Sequence, residues 1–260
     1  MYYPQTIDFP KIIPGDLDDD PGPKQMYDKC HWAQLTEAEH RVCRARYYGA
    51  ISWMDSNVGK ALERIDSLGL AEKTLIIYSS DYGDMAGEKG MWFKQVMFDS
   101  VARVPFLMRF PGKLIAGKKY AGLINHVDYF STFAGLVQTG ADVPGNVTGK
   151  DDSQAIFGHG AGPEYSFTVS GIQSVDTIPE VTMARSRDWK CIQYAGEESN
   201  TYVLYDMVND PDEITNLASN PKYQDIVGRH RQAIDVFLKS LKKPDFPIEK
   251  MPKGKKGEAE

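Results

Sequence analysis

The sequence predicts an α/β fold followed by a smaller α+β unit, and three observations predict it. A helical pattern runs into an apolar strand, Thr74-Leu75-Ile76-Ile77-Tyr78-Ser79, which ends in Asp81-Tyr82-Gly83-Asp84. A second buried-strand pattern follows at Val104-Pro105-Phe106-Leu107-Met108. Beyond Pro163 the chain turns to short alternating runs at close spacing, the pattern of an antiparallel sheet. Helix then strand in the first part is the α-to-β step of a sheet covered by helices.

Taken in order, residues 1–40 carry Pro4, Pro10, Pro14, Pro21 and Pro23 together with Asp16 and Asp18-Asp19-Asp20. They are expected to form an extended surface segment, with the aspartates in a solvated acidic turn. Residues 41–150 hold the α/β part. Tyr48, Ile51, Met54, Val58, Leu62, Ile65 and Leu68 recur at three- and four-residue spacing and draw one apolar helical stripe. Thr36 with Glu39 has the form of a capping box at its start, and Gly69 is placed to end it. Val127 to Val137 gives another amphipathic helix, stopped by Gly140. Glycines and prolines from Asp142 to Pro163 mark a linker. Residues 151–245 then carry strand patterns at Phe167–Ser170, Val181–Arg185, Trp189–Tyr194 and Tyr202–Tyr205. A last helix follows from Pro221, with Ile226, Val227, Ile234, Phe237, Leu238 and Leu241 on one face. The Lys-, Gly- and Glu-rich tail, residues 246–260, is expected to be disordered.

The 260 residues can bury a core of one large or two modest domains. A net charge of -6 gives no reason to expect nucleic acid as a partner. No apolar run reaches the length of a membrane span and the first residues do not form a signal peptide, so no membrane partner is expected and a cytoplasmic location is preferred. Cys30, Cys43 and Cys191 are scattered and odd in number, which fits neither a disulfide framework nor a metal-ligand pairing.

The chemistry concentrates in the segment between the two strands of the α/β part. A carboxylate at the C-terminal end of a parallel strand sits where open α/β sheets bind ligands. Gly83, Gly87 and Gly90 let the loop approach an anionic or metal-bound group, and Lys94 follows as a cation able to neutralise charge there. A strand, a polar turn and a solvated lysine would give the same spacing. The longer run is more specific. SSDYGDMAGEKGMWFK followed by FDSVARVPFLMRFPG closely resembles the sulfatase family: Ser-Asp-His-Gly or Ser-Asp-Asn-Gly, then Gly-Glu-x-Gly, Trp-x-Lys and an Arg-Val-Pro strand. Its glycine loop leans toward the choline-sulfatase branch. Tyr47 to Asp55 resembles the helix before that strand. Leu204-Tyr205-Asp206, with Asn209-Asp210-Pro211-Asp212-Glu213 and Asn216-Leu217-Ala218, resembles the C-terminal signature.

The resemblance implies the second half of an alkaline-phosphatase/sulfatase-like α/β sandwich with a small C-terminal α+β subdomain. It also implies hydrolysis of sulfate esters by a formylglycine nucleophile beside a divalent cation, usually calcium. Asp81 matches a metal-binding aspartate and Tyr82 stands at the position of the His or Asn metal ligand. Lys94 matches the catalytic, sulfate-contacting lysine of Trp-x-Lys. A neutral phenol is a poor ligand for a hard cation, so calcium is expected to bind weakly or not at all. His126 matches a position ahead of a helix and is expected to be structural. No Cys or Ser lies in Cys/Ser-x-Pro-x-Arg, and the paired N-terminal aspartates of the family have no counterpart. The chain is therefore expected to be the C-terminal part of a sulfatase, inactive alone. Its partners would be a sulfate ester, small or glycan, together with the missing N-terminal half or a second copy of itself. Alternatives are a stand-alone binding or assembly module and a metal-dependent phosphoesterase of the same superfold.

Overall fold

The computed structural model of the chain describes residues 2–10, 12–138, 143–144, 147–170, 181–196 and 199–240. Gly140, Asp142, Leu241 and the 246–260 tail lie outside them.

Helix α1 (Pro21–Lys29) begins with two prolines in its first turn, where a missing N–H costs nothing. It buries Pro23 and Met26, while Leu17 and Trp32 join the same core. The expectation of an extended surface segment is thus corrected: this stretch folds because its few apolar side chains find a sheet to pack on. Asp18 and Asp19 are exposed as expected, but Asp20 is not. Its carboxylate is buried and accepts hydrogen bonds from Tyr194 Oη at 2.5 Å and Tyr205 Oη at 2.9 Å. Burial pushes its carboxyl above the ordinary value.

Helix α2 (Glu37–Ser67) starts at the Thr36–Glu39 capping box and gives way to Gly69 at φ 67°. It buries His40, Arg44 and Ala45 near its start. The apolar stripe further along has no such cover, for Ile51 and Met54 are 43% and 40% exposed and Trp53 beside them is 72% exposed.

Strand β1 (Ile76–Ser79) pairs with β2 (Phe106–Arg109) in a two-stranded sheet, Ser79 opposite Phe106. The pair is antiparallel, where the sequence suggested a parallel strand: the chain leaves the end of β1, loops out, and returns through the four-residue helix α3 (Asp99–Ala102) to run back alongside it. Nor is β2 a buried strand, since its residues alternate and Leu107 is 63% exposed. Helix α4 (Tyr129–Val137) stacks Tyr129 on Phe106, and the short α5 (Ser153–Phe157) packs beside α4.

The second sheet is an antiparallel meander, β3 (Ser166–Ser170), β4 (Val181–Arg185), β5 (Trp189–Tyr194) and β6 (Thr201–Asp206), as the alternation predicted. Its pleat sends alternate residues to opposite faces. One face carries Val181, Met183, Ile192, Val203 and Tyr205 into a core shared with Met85, Met91, Phe98 and Val101 of the β1–β2 connection. The opposite face sets Cys191 and Leu204 against Val227 of α6 (Gln224–Ser240), and burial raises the Cys191 thiol to about 12. The small sheet therefore forms the floor under the loop that follows Asp81.

An ionic knot fastens floor to loop. The ammonium of Lys190, fully buried on β5, meets Asp99 at 2.5 Å, Glu213 at 2.6 Å and the Met97 carbonyl at 2.9 Å. Glu213 also accepts the Asp99 N–H at 2.7 Å.

Candidate functional site

Asp81 and Tyr82 follow β1 after Ser80, and both are exposed. The Asp81 carboxylate turns back on its own backbone: Oδ1 accepts the Tyr82 N–H at 3.1 Å and the Ser80 hydroxyl at 3.4 Å. Gly83 is then pinned on α3, its N–H donating to the Val101 carbonyl at 2.8 Å. A Cβ at Gly83 would fall 2.0 Å from the Ser100 carbonyl oxygen, so only glycine permits this approach.

The loop returns as a narrow ladder. Met85 N–H donates to Phe93 O and Gly87 N–H to Met91 O, each at 2.9 Å. Ala86 between these rungs and Lys89 in the turn beyond them hold positive φ, and so do Phe93 and Gln95 on either side of Lys94, at 67° and 91°. Left-handed backbone at residues other than glycine is costly and persists only where the surroundings enforce it. One enforcing contact is visible: Trp92 Nε1–H donates to Nδ1 of buried His40 at 2.8 Å, with the two rings stacked. Burial keeps His40 below the usual imidazole value, so it stays a neutral acceptor.

The consequence is the position of Lys94. Its ammonium lies over the face of the Tyr82 ring, 3.1 Å from the centroid. Two of the residues singled out from sequence, Tyr82 and Lys94, are thus in contact, and Asp81 adjoins them through the backbone. His126 closes the far side of the strand end: its Nε2 sits 2.9 Å from the Ser80 carbonyl, and its ring meets Tyr129 edge-on. A cleft of about 850 Å³ runs along β2 instead, lined in part by Arg103, Lys118, Tyr120 and Arg185, and neither Asp81 nor Lys94 borders it. Sequence reasoning overlooked His40, the anchor of Trp92; an isolated histidine at the start of a helix carried no sign of it.

The residues in place do not make a complete divalent-cation site. Among the described residues no group of three or more His, Cys, Asp and Glu side chains is arranged to hold a metal ion. Asp81 supplies one carboxylate, already engaged by its own turn, whereas calcium takes six to eight oxygens.

Comparison with known proteins bears on the family and the fold. The family model described as N-sulphoglucosamine sulphohydrolase, C-terminal, matches residues 87–239, and the sulfatase model matches residues 19–139. The chain belongs to the sulfatase family, a family that generally uses a divalent cation. Arylsulfatase K of Bos taurus is 29% identical over 225 residues, which are 83% of this chain and 39% of that protein. A choline-sulfatase of Rhizobium meliloti (strain 1021) is 29% identical over 215 residues, 78% of this chain and 39% of that protein. The chain thus spans about two fifths of the length of these curated relatives. Among solved structures, a phosphonate monoester hydrolase of Silicibacter pomeroyi superposes with a TM-score of 0.80 at 21% identity, covering 93% of this chain and 52% of that one. A 2-O GAG sulfatase superposes at 0.77 with 23% identity, over 91% and 55% of the two chains. These likenesses establish the alkaline-phosphatase-like α/β fold. No helix among the described residues is long and apolar enough to cross a membrane.

Proposed function

We propose that this chain is the anion-receiving portion of a sulfuric ester hydrolase and that it does not complete the reaction by itself. The observation that carries the reading is the return of Lys94 to the end of β1, where its ammonium is held beside the Asp81 turn. A fixed cation there can meet the oxygens of a sulfuryl group and offset the charge that builds up during transfer. Asp81 holds the turn that aims Tyr82, and His126, bonded to the Ser80 carbonyl, fixes the strand end from behind. The nucleophile and the aspartates that would complete a calcium site are absent from this sequence. The remainder of the site would come from sequence such as the relatives carry beyond the part matched here. The substrate class supported is a sulfate ester, small or on a glycan. One structural neighbour was solved with its substrate D-glucosamine-2-N,6-O-disulfate, and one relative is a choline-sulfatase.

The purified chain, assayed on an aryl sulfate with and without calcium, is expected to show no turnover above buffer. Turnover that Asp81→Ala and Lys94→Ala both abolish would show the chain to be a complete catalyst and overturn the reading.

A further inference from the structure

Tyr82 occupies the position where the family pattern places a His or Asn metal ligand, and its side chain does something a ligand would not. Its ring lies under an ammonium. Lys94 Nζ at 3.1 Å from the centroid is well inside the reach of a cation–π contact. A lysine is ordinarily a flexible point charge with many rotamers, so an aromatic seat restricts it. The seat is itself fixed. Tyr82 lies between the Asp81 turn and Gly83, which is locked on the Val101 carbonyl.

A second observation points the same way. Lys94 is bracketed by Phe93 and Gln95, both non-glycine and both at positive φ, with Trp92 tied to His40 just before them. Two strained residues around one lysine spend conformational energy on where that lysine goes. Phe93 is 66% exposed, so burying its side chain is not what the strain secures. The strained turn carries Lys94 between Trp92 and Val96, both packed on the core.

We propose that Tyr82 is a positioning residue: its ring seats the Lys94 ammonium, and within this chain that ammonium replaces a bound divalent cation as the positive charge at the end of β1. The location of the site is taken from the sulfatase reading, but neither the seat nor the missing metal ligand depends on turnover. A calcium ion drawn to Asp81 would meet the seated ammonium as a like charge nearby. It would also find a phenol where an imidazole or amide oxygen should be. The oxyanion that binds here is therefore held by an organic cation and needs no metal from these residues.

The test uses the full chain, isotopically labelled, and reads the Lys94 side chain by NMR. The ring current of Tyr82 is expected to move the Lys94 ε-methylene protons upfield of the other lysines. Tyr82→Phe keeps the ring and is expected to keep the shift. Tyr82→Leu is expected to abolish it while the amide signals of β3–β6 stay in place, which shows the fold intact. Inorganic sulfate, against chloride at equal ionic strength, is expected to perturb Lys94 saturably in the parent and in Tyr82→Phe. In Tyr82→Leu its affinity is expected to fall about two- to fivefold, the scale of one exposed cation–π contact. Calcium at millimolar concentration is expected to leave the Asp81 and Tyr82 amides unmoved. Lys94 protons coincident with the other lysines would overturn the proposal. So would a Tyr82→Phe chain that behaves like Tyr82→Leu, or a saturable calcium response that Asp81→Ala removes. If the upfield signals persist but sulfate leaves them unmoved, the seat is supported and the sulfate reading of the site falls.

Discussion

Replacing Lys190 with methionine removes the central cation of the knot between the small sheet and the loop after Asp81 and leaves the longer Arg185 Nε–Asp99 contact, at 3.9 Å. The ammonium is fully buried and stands 2.5 Å from Asp99 and 2.6 Å from Glu213. At an effective dielectric near 20 each contact is worth on the order of 6 kcal/mol, before the desolvation that opposes it. Burial outweighs the ammonium at Glu213 and holds that carboxyl above its ordinary value, so desolvation opposes the pairing. The net worth of the knot is therefore modest, but breaking it from one side leaves carboxylates stranded. The expected loss is about 3–5 kcal/mol. In melting temperature that is a fall of roughly 6–20 °C for a chain of this size. Urea unfolding followed by tryptophan fluorescence measures it. Adding Glu213→Gln removes one stranded charge while its amide oxygen can still accept the Asp99 N–H, so Lys190→Met/Glu213→Gln should be more stable than Lys190→Met alone. A double variant less stable than the single one would refute the reasoning, as would a loss under about 1 kcal/mol in Lys190→Met.

His40 and His230 are both held below the imidazole value of 6.5 by burial, so between that value and their folded values the unfolded chain binds more protons. Stability should fall as pH drops below 6.5, and the fall should be shallower in His230→Gln; urea midpoints across that range check it. The exposed stripe of α2, with Ile51, Trp53 and Met54, together with the edges of the two-stranded sheet that pair with no other strand among the described residues, should make the isolated chain self-associate. Light scattering over a concentration series measures this, and a monodisperse monomer melting above about 60 °C would count against an uncovered face.

Long patterns were legible. The Thr36–Glu39 cap and Gly69 bounded α2 because both signals act through neighbouring backbone, and the four strands after Pro163 declared themselves by period-two alternation. Asp81 and Lys94 were singled out by their placement after a strand and after a glycine loop, and the fold brings Lys94 back onto Tyr82, the residue next to Asp81. What stayed hidden depended on residues far apart in sequence. Asp20 reads as one more acid in an acidic turn until Tyr194 and Tyr205 arrive to bury it. The direction of β1 relative to β2 is set by how the intervening loop folds back, which no local pattern records. Tyr82 looked like a lost ligand, and only the geometry reveals what its ring does.

The burial of Asp20 also sets an order of events. Its partner Tyr205 lies 185 residues later in the chain. At ribosomal rates of about 5–20 residues per second, roughly 10–40 s pass between synthesis of the two. For most of that interval Met26 and Trp32 lack the sheet that covers them, because β4 and β5 come only shortly before β6. Residues around Asp20 are made well before the strands that bury them, and a nascent chain stalled before β6 presents them to any chaperone or protease within reach.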